Sequence, residues 1–368
     1  MALTKEQITT KFSARKIILP MLLGLGVVGY MLYRNYQPDQ LQTLVQANPF
    51  WLCMAFLVLF VRDFGYMYRI RYLTDKVLDW RQSFQVIMLW EFASCALPSV
   101  AGGSTIASYI LFKEKIPLGK SIAQVMVTAL LDNLYFLLAV PLVLLYMQGD
   151  FLPDLAQTNS TMVESLKVGL VISYVLIAIY ACTMFYALFI NPKSVKRLLI
   201  RAGRISLFKR WRISLFTHAN ELLLASKHMH DKTWGYWLHA SGSTVFVWTA
   251  RYLIIGCLIA AFTHLSFHDH LDIFARNLLY KIVLFVSVTP GASGFAEIAF
   301  PAFFGIFIGS FTTVVILLYR LLTYYLYLVV GALVFPRWAA RVYAKEESQD
   351  EPGFKSTSEP ITNQSLTV

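Results

Sequence analysis

The chain has 368 residues, of which 57% are hydrophobic and only 14% charged, and its formal net charge is +11. A soluble domain carries about 25% charged residues and must cover its surface with polar groups, so a mean hydropathy of +0.57 excludes a water-soluble globular protein. The composition is that of an all-α polytopic membrane protein. The longest polar stretch, 191–232, is too short for a separate soluble catalytic domain.

A helix needs about 20 apolar residues to cross the hydrocarbon of a bilayer. In chain order, 1–16 is a short basic terminus and 17–33 the first such run. Lys11, Arg15 and Lys16 precede it and no small-x-small cleavage site follows, so it reads as a span rather than a signal peptide. A second span covers 50–68. Two shorter runs, 84–97 and 105–112, flank Pro98-Ser-Val-Ala-Gly-Gly103. Proline there removes helical hydrogen bonds and glycine permits unusual backbone angles, which predicts a re-entrant helical hairpin over 84–112. Full spans follow at 122–147, 163–190 and 234–262. A second hairpin is predicted over 278–308, its limbs meeting at Pro290-Gly-Ala-Ser-Gly294, and a sixth span at 312–335. The segment 336–368 reads as a largely disordered tail, because from Glu346 onward it is polar and carries Pro352, Gly353 and Pro360.

Charge assigns the sides. Residues 191–232 hold ten Lys and Arg against Glu221 and Asp231, whereas 148–164 holds Asp150, Asp154 and Glu164 with no base. The positive-inside rule then places both termini in the cytoplasm, which fits the inner (plasma) membrane of a bacterium. The basic excess sits in loops between spans, where it meets anionic lipid rather than nucleic acid. Within 191–232, basic residues alternate with Leu, Ile, Phe and Trp211 as in an interfacial amphipathic helix. Two membrane repeats result, 17–147 and 148–335, each ordered span, span, hairpin, span. An odd number of crossings separates their starts, so the second is inverted. Six spans and two re-entrant hairpins in an inverted repeat are the architecture of alternating-access transporters.

Charges at bilayer depth cost at least about 2.5 kcal/mol each and face a partner or a wet cavity. Here they are Arg62, Asp63, Glu91, Asp132, Arg251, Lys281, Glu297 and Arg320. Each alone could be a structural ion pair; together, beside two broken helices, they describe a polar path. Half-helices starting after Pro98 and Pro290 would present free backbone N–H groups to an anion, with Gly102, Gly103 and Gly294 allowing close approach or simply close helix packing. Glu297 would pair with Arg251 or Arg320, or meet a cationic group. The cysteines Cys53, Cys95, Cys182 and Cys257 lie apart inside apolar runs and read as buried free thiols. His264, His268 and His270 beside Asp269 read as a solvated loop, and no metal or cofactor site is expected. Gly24 and Gly26 permit close helix contacts, which leaves a homo-oligomer open.

The segment Thr289-Pro-Gly-Ala-Ser-Gly-Phe-Ala-Glu297 resembles the signature of the lysylphosphatidylglycerol synthase transmembrane family, a flippase-like domain found alone or fused to synthase or glycosyltransferase domains. Pro98-Ser-Val-Ala-Gly-Gly103, followed by Ile116-Pro-Leu-Gly-Lys-Ser121 and Asp132, is similar to its first-half pattern, and the family-type arrangement extends over about 15–340. The resemblance implies movement of a polar lipid between leaflets and no synthase activity in this domain. Matched residue by residue, it implicates Thr289, Pro290, Gly291, Gly294 and Glu297 in the second half and Pro98, Gly102, Gly103 and Asp132 in the first. Where the family often has an acidic residue and an arginine shortly before that aspartate, this chain has Thr128 and Ala129. The residues alone add Arg62, Glu91, Arg251 and Arg320 to the substrate-binding set. Two further readings stay open: a membrane enzyme acting on a lipid-linked substrate through Glu91, Asp132 or Glu297 as acid or base, and a non-transporting scaffold.

Overall fold

A computed structural model gives the structure of the protein. It describes residues 47–97, 100–148, 160–202, 220, 223, 225–227, 229, 232–285, 287 and 289–350, and among these every regular element is helical. Helix α1 (Pro49–Leu73) starts where the Asn48 side chain accepts the Phe50 N–H and proline occupies the first turn. It stops at Thr74, followed by Asp75 and Lys76 at positive φ. Helix α2 (Trp80–Ala96) opens in a capping box between Asp79 and Gln82 and ends at an extended Leu97, as the residues before Pro98 require. Helix α3 (Val100–Lys113) returns against it, and α4 (Leu118–Tyr146) follows.

Helix α5 (Ser160–Phe185) runs into a π turn (Tyr186–Ile190), and α6 (Pro192–Ala202) takes up the start of the basic stretch. Helix α7 (Trp234–Ala260) is capped by Thr233. Helix α8 (Phe267–Leu284) is followed by a 3-10 turn (Pro290–Ala292) and α9 (Phe295–Ile308). Helix α10 (Thr312–Arg320), a π turn (Leu321–Tyr325) and α11 (Leu326–Asp350) complete the described chain.

Among the described residues, five stretches are long and apolar enough to cross a membrane: Pro49–Leu73, Leu118–Tyr146, Val163–Ile190, Trp234–Ala260 and Phe295–Val342. Four coincide with the spans expected at 50–68, 122–147, 163–190 and 234–262. The fifth joins the second limb of the 278–308 segment to the span expected at 312–335. The span expected at 17–33 lies outside the described residues. Helices α2 and α3, with 17 and 14 residues, rise about 25 and 21 Å, short of the roughly 30 Å hydrocarbon layer.

Two boundaries differ from the sequence expectation. Helix α8 begins at Phe267 rather than 278, because Ser266 and Asp269 form a capping box. His268, Asp269 and His270 therefore sit in its first turn and not in a loop. Asp269 accepts from the Ser266 N–H and hydroxyl, both at 2.8 Å, and these bonds hold its carboxyl below the ordinary carboxylate range. The His270 ring lies 5.4 Å from that of Trp51. Helix α11 continues through Pro336 to Asp350. It is fixed there by buried Glu114, which accepts from Trp338 Nε1 at 2.8 Å, from Gln82 Nε2 at 2.9 Å and from the Arg341 guanidinium. Residues 351–368 lie outside the described part.

The polarity of the fold is inverted relative to a soluble protein. Phe60, Leu138, Leu142, Leu145 and Leu176 point outward while Arg62 is fully buried, as a bilayer solvent demands. Cys95 and Cys257 are buried, but Cys53 and Cys182 are exposed on outward faces, which corrects the expectation of four buried thiols.

Among the described residues, helices α1 and α7 form the most extensive pair. They close up at Gly65, where an added Cβ would fall 2.8 Å from Val247 Cγ1. Helix α11 approaches α2 equally closely at Gly331, whose added Cβ would lie 2.3 Å from Phe92 Cβ. That neighbour sits next to its own backbone and cannot swing away. Gly331→Ala is expected to lower stability by about 1–3 kcal/mol through overpacking, read as a fall in the thermal unfolding midpoint of the purified protein. An unchanged midpoint would show that the two helices separate freely.

Candidate functional site

A cavity of about 330 Å³ lies between α1, α2, α4, α7, α8, the 3-10 turn and the α10 to π-turn junction. Four cations, Arg69, Arg251, Lys281 and Arg320, and two carboxylates, Glu91 and Asp132, face it, beside apolar walls that include Phe136, Trp248 and Phe285. Buried charges of both signs require hydrogen-bonded partners. The partners come in three groups.

The first group joins α1, α2 and α7. Arg62 and Arg251 both donate to Glu91 of α2, at 3.4 Å and 3.3 Å to the same oxygen. Arg62 is fixed more tightly from behind by Asp63 at 2.7 Å and by the Tyr327 hydroxyl at 2.7 Å, and that hydroxyl in turn donates to Asp63. Glu91 is thus shared at long distances; Arg251 also donates to its second oxygen at 3.4 Å and to the Tyr66 hydroxyl at 3.2 Å, all longer than the bonds that fix Arg62 from behind.

In the second group, Arg69 donates to Asp132 of α4 at 2.5 Å and to the Thr244 hydroxyl at 3.2 Å. Trp248 Nε1 donates to the same Asp132 oxygen at 2.8 Å. On α1 the residues Arg62, Tyr66 and Arg69 fall at i, i+4 and i+7, and on α7 Thr244, Trp248 and Arg251 repeat that spacing. Each triplet therefore lines one face of its helix. The two polar stripes belong to the two helices that share the most extensive contact among the described residues.

The third group builds the turn before α9. Arg320 donates to Glu297 at 2.6 Å and to the carbonyl oxygens of Gly291 and Ala292 at 3.0 and 3.4 Å. The other Glu297 oxygen accepts the Gly294 N–H at 2.7 Å. Both glycines need positive φ, 57° at Gly291 and 86° at Gly294, which disfavours any side chain there. A Cβ on Gly291 would also come within 2.1 Å of the Tyr324 ring. One arginine thus ties the helix after the break to two carbonyls of the break itself.

Of the sequence-predicted site residues, Glu91, Asp132, Arg251, Thr289, Gly291 and Arg320 line the cavity. Arg62 and Glu297 stand directly behind its wall, bonded to Glu91 and Arg320. Pro290 opens the 3-10 turn and Gly294 serves as the N-cap of α9. Gly103 packs against α2, where an added Cβ would lie 2.6 Å from Ser94 Oγ, so it acts in close helix packing rather than as an open cradle. Gly102 falls in the first turn of α3, and Pro98 lies outside the described residues.

Sequence reasoning missed Arg69, which follows the span expected at 50–68, and it left Tyr66, Trp248 and Lys281 out of the substrate-binding set. The helical spacing from Arg62 would have found Tyr66 and Arg69. Thr128 and Ala129 both line the cavity.

Comparison with known proteins shows that residues 17–331 match the profile of the lysylphosphatidylglycerol synthase TM region. A UPF0104 membrane protein of Archaeoglobus fulgidus is 25% identical over 313 residues, an alignment covering 81% of this chain and 90% of the relative. No solved structure matches the chain.

Proposed function

We propose that this chain, which belongs to the family of the lysylphosphatidylglycerol synthase TM region, is a flippase-like transporter that carries a polar or charged lipid headgroup between leaflets. The observation that carries this reading is the convergence of Arg62 and Arg251 on Glu91 beside a charged cavity. These arginines come from helices α1 and α7, which hold corresponding places in the two sequence halves. A polar chamber enclosed by two such halves, with broken helices at its wall, supports alternating access. In this reading α2–α3 and α8–α9 are re-entrant hairpins entering from opposite leaflets, six spans complete the fold and both termini are cytoplasmic.

The headgroup occupies the cavity while the acyl chains stay in lipid, and the outward belt of Phe60, Leu138, Leu142 and Leu176 suits that division. Such transfer needs no covalent chemistry from the protein. Reconstitution into liposomes with labelled phospholipids tests it. The native chain is expected to move at least one labelled headgroup across the bilayer, and Arg251→Ala and Glu297→Gln to slow it. No protein-dependent movement of any polar lipid would overturn the proposal.

A further inference from the structure

We propose that Lys281, with Arg251 beside it, holds the phosphate of a headgroup that carries a net negative charge, so that the cavity selects anionic phosphodiester lipids over zwitterionic ones. This rests on the transport reading and names its substrate class. The argument starts from which cations already have partners. Arg69 is matched by Asp132 at 2.5 Å, Arg320 by Glu297 at 2.6 Å and Arg62 by Asp63 at 2.7 Å. Glu91 is left for Arg251, at 3.3 Å and shared with Arg62. Lys281 remains. Among the described residues it forms no ion pair and no hydrogen bond, and its ammonium lies over the Phe285 ring, 5.9 Å from the ring centre.

Lys281 projects from α8 into the cavity and lies within electrostatic reach of Arg251, Glu91 and Arg320. An ammonium in such a place has lost bulk water without gaining a counterion, and an incoming anion supplies one. A lysine ammonium is a compact point charge well matched to phosphate oxygens. The Ser287 hydroxyl lines the same wall and is held there by Thr289, whose hydroxyl lies 2.9 Å away and itself donates to the Ser293 carbonyl.

The charge balance sets the selectivity. Every carboxylate of the network has an arginine, so one positive charge is unmatched and a monoanionic phosphodiester neutralises it. A choline or ethanolamine headgroup would bring its own cation into a chamber with no carboxylate to spare. The space, about 330 Å³, is at the small end of ligand pockets and suits a headgroup rather than a whole lipid. The aromatic walls at Phe136, Trp248 and Phe285 favour a phosphate carried on a lipid over the free ion.

The test uses the purified full-length chain in detergent, with fluorescent phosphatidylglycerol and phosphatidylcholine as probes and inorganic phosphate as competitor. The native protein is expected to prefer phosphatidylglycerol by about tenfold, a preference that falls to within about twofold in Lys281→Met and survives in Lys281→Arg. Because Lys281→Met removes an unmatched charge, its thermal unfolding midpoint is expected to equal or exceed the native one, which separates lost binding from lost folding. A native preference that persists in Lys281→Met, or a native protein with none, would overturn the proposal. Inorganic phosphate displacing the lipid at comparable concentration would overturn the lipid as its source. If liposomes show translocation with unchanged headgroup preference in Lys281→Met, this inference fails while the transport reading stands. If no lipid moves but the binding preference depends on Lys281, transport fails and the phosphate site stands.

Discussion

Replacing Arg320 with methionine is expected to lower the unfolding free energy by about 3–5 kcal/mol, the range for breaking one side of a buried ion pair. The Glu297 side chain is 1% exposed and that of Arg320 8%, so water cannot take over the vacated contacts. The loss is compounded because the same guanidinium satisfies the carbonyls of Gly291 and Ala292. Those carbonyls belong to a turn in which Gly291, Ala292 and Gly294 all have positive φ, a conformation that survives only when its surroundings dictate it. Adding Glu297→Gln to Arg320→Met removes the stranded charge and is expected to restore much of the stability, while the amide can still meet the Gly294 N–H. Equilibrium unfolding of both variants in detergent checks this. A cost below about 1 kcal/mol, typical of solvated surface pairs, would show that the turn is wet and held by something else.

The second large effect is on transport. Glu91→Gln is expected to reduce the translocation rate by about ten- to a hundredfold, the worth of a charge-assisted hydrogen bond lost at the rate-determining arrangement. Glu91 is where Arg62 and Arg251 meet, so neutralising it uncouples the two halves and leaves Arg251 without its carboxylate. The fold is expected to tolerate the change better than Arg320→Met, because Asp63 and Tyr327 continue to hold Arg62. Liposome translocation run alongside thermal unfolding separates the two effects. A native rate in Glu91→Gln would mean that the junction is structural and the path lies elsewhere.

Helices α1, α4, α5 and α7 were legible because length and hydropathy together leave few alternatives. The turn at Pro290 to Gly294 was legible for a different reason: proline and glycine at that spacing have few uses inside an apolar run. The start of α8 was not, since His268, Asp269 and His270 have the composition of a loop and only the pairing of Ser266 with Asp269 makes them a helical turn. Arg69 was hidden by its position. Next to Arg71 and close to Arg81 it reads as part of a cytoplasmic flank, and nothing local reveals that Asp132, sixty-three residues later, receives its charge. Lys281 was visible as a charge, but its lack of a counterion is a property of three-dimensional packing, known only once the carboxylates around it have been assigned to arginines.

The central claim is that the cavity among these charges is reached in turn from the two sides of the membrane. Ala292 lines it. In a variant with Cys53, Cys95, Cys182 and Cys257 replaced by serine, Ala292→Cys is to be labelled in sealed proteoliposomes of known orientation with a membrane-impermeant maleimide, applied outside or trapped inside. Modification from both sides, slowed by phosphatidylglycerol in the bilayer, is the predicted result; modification from one side alone, or from neither, would contradict it.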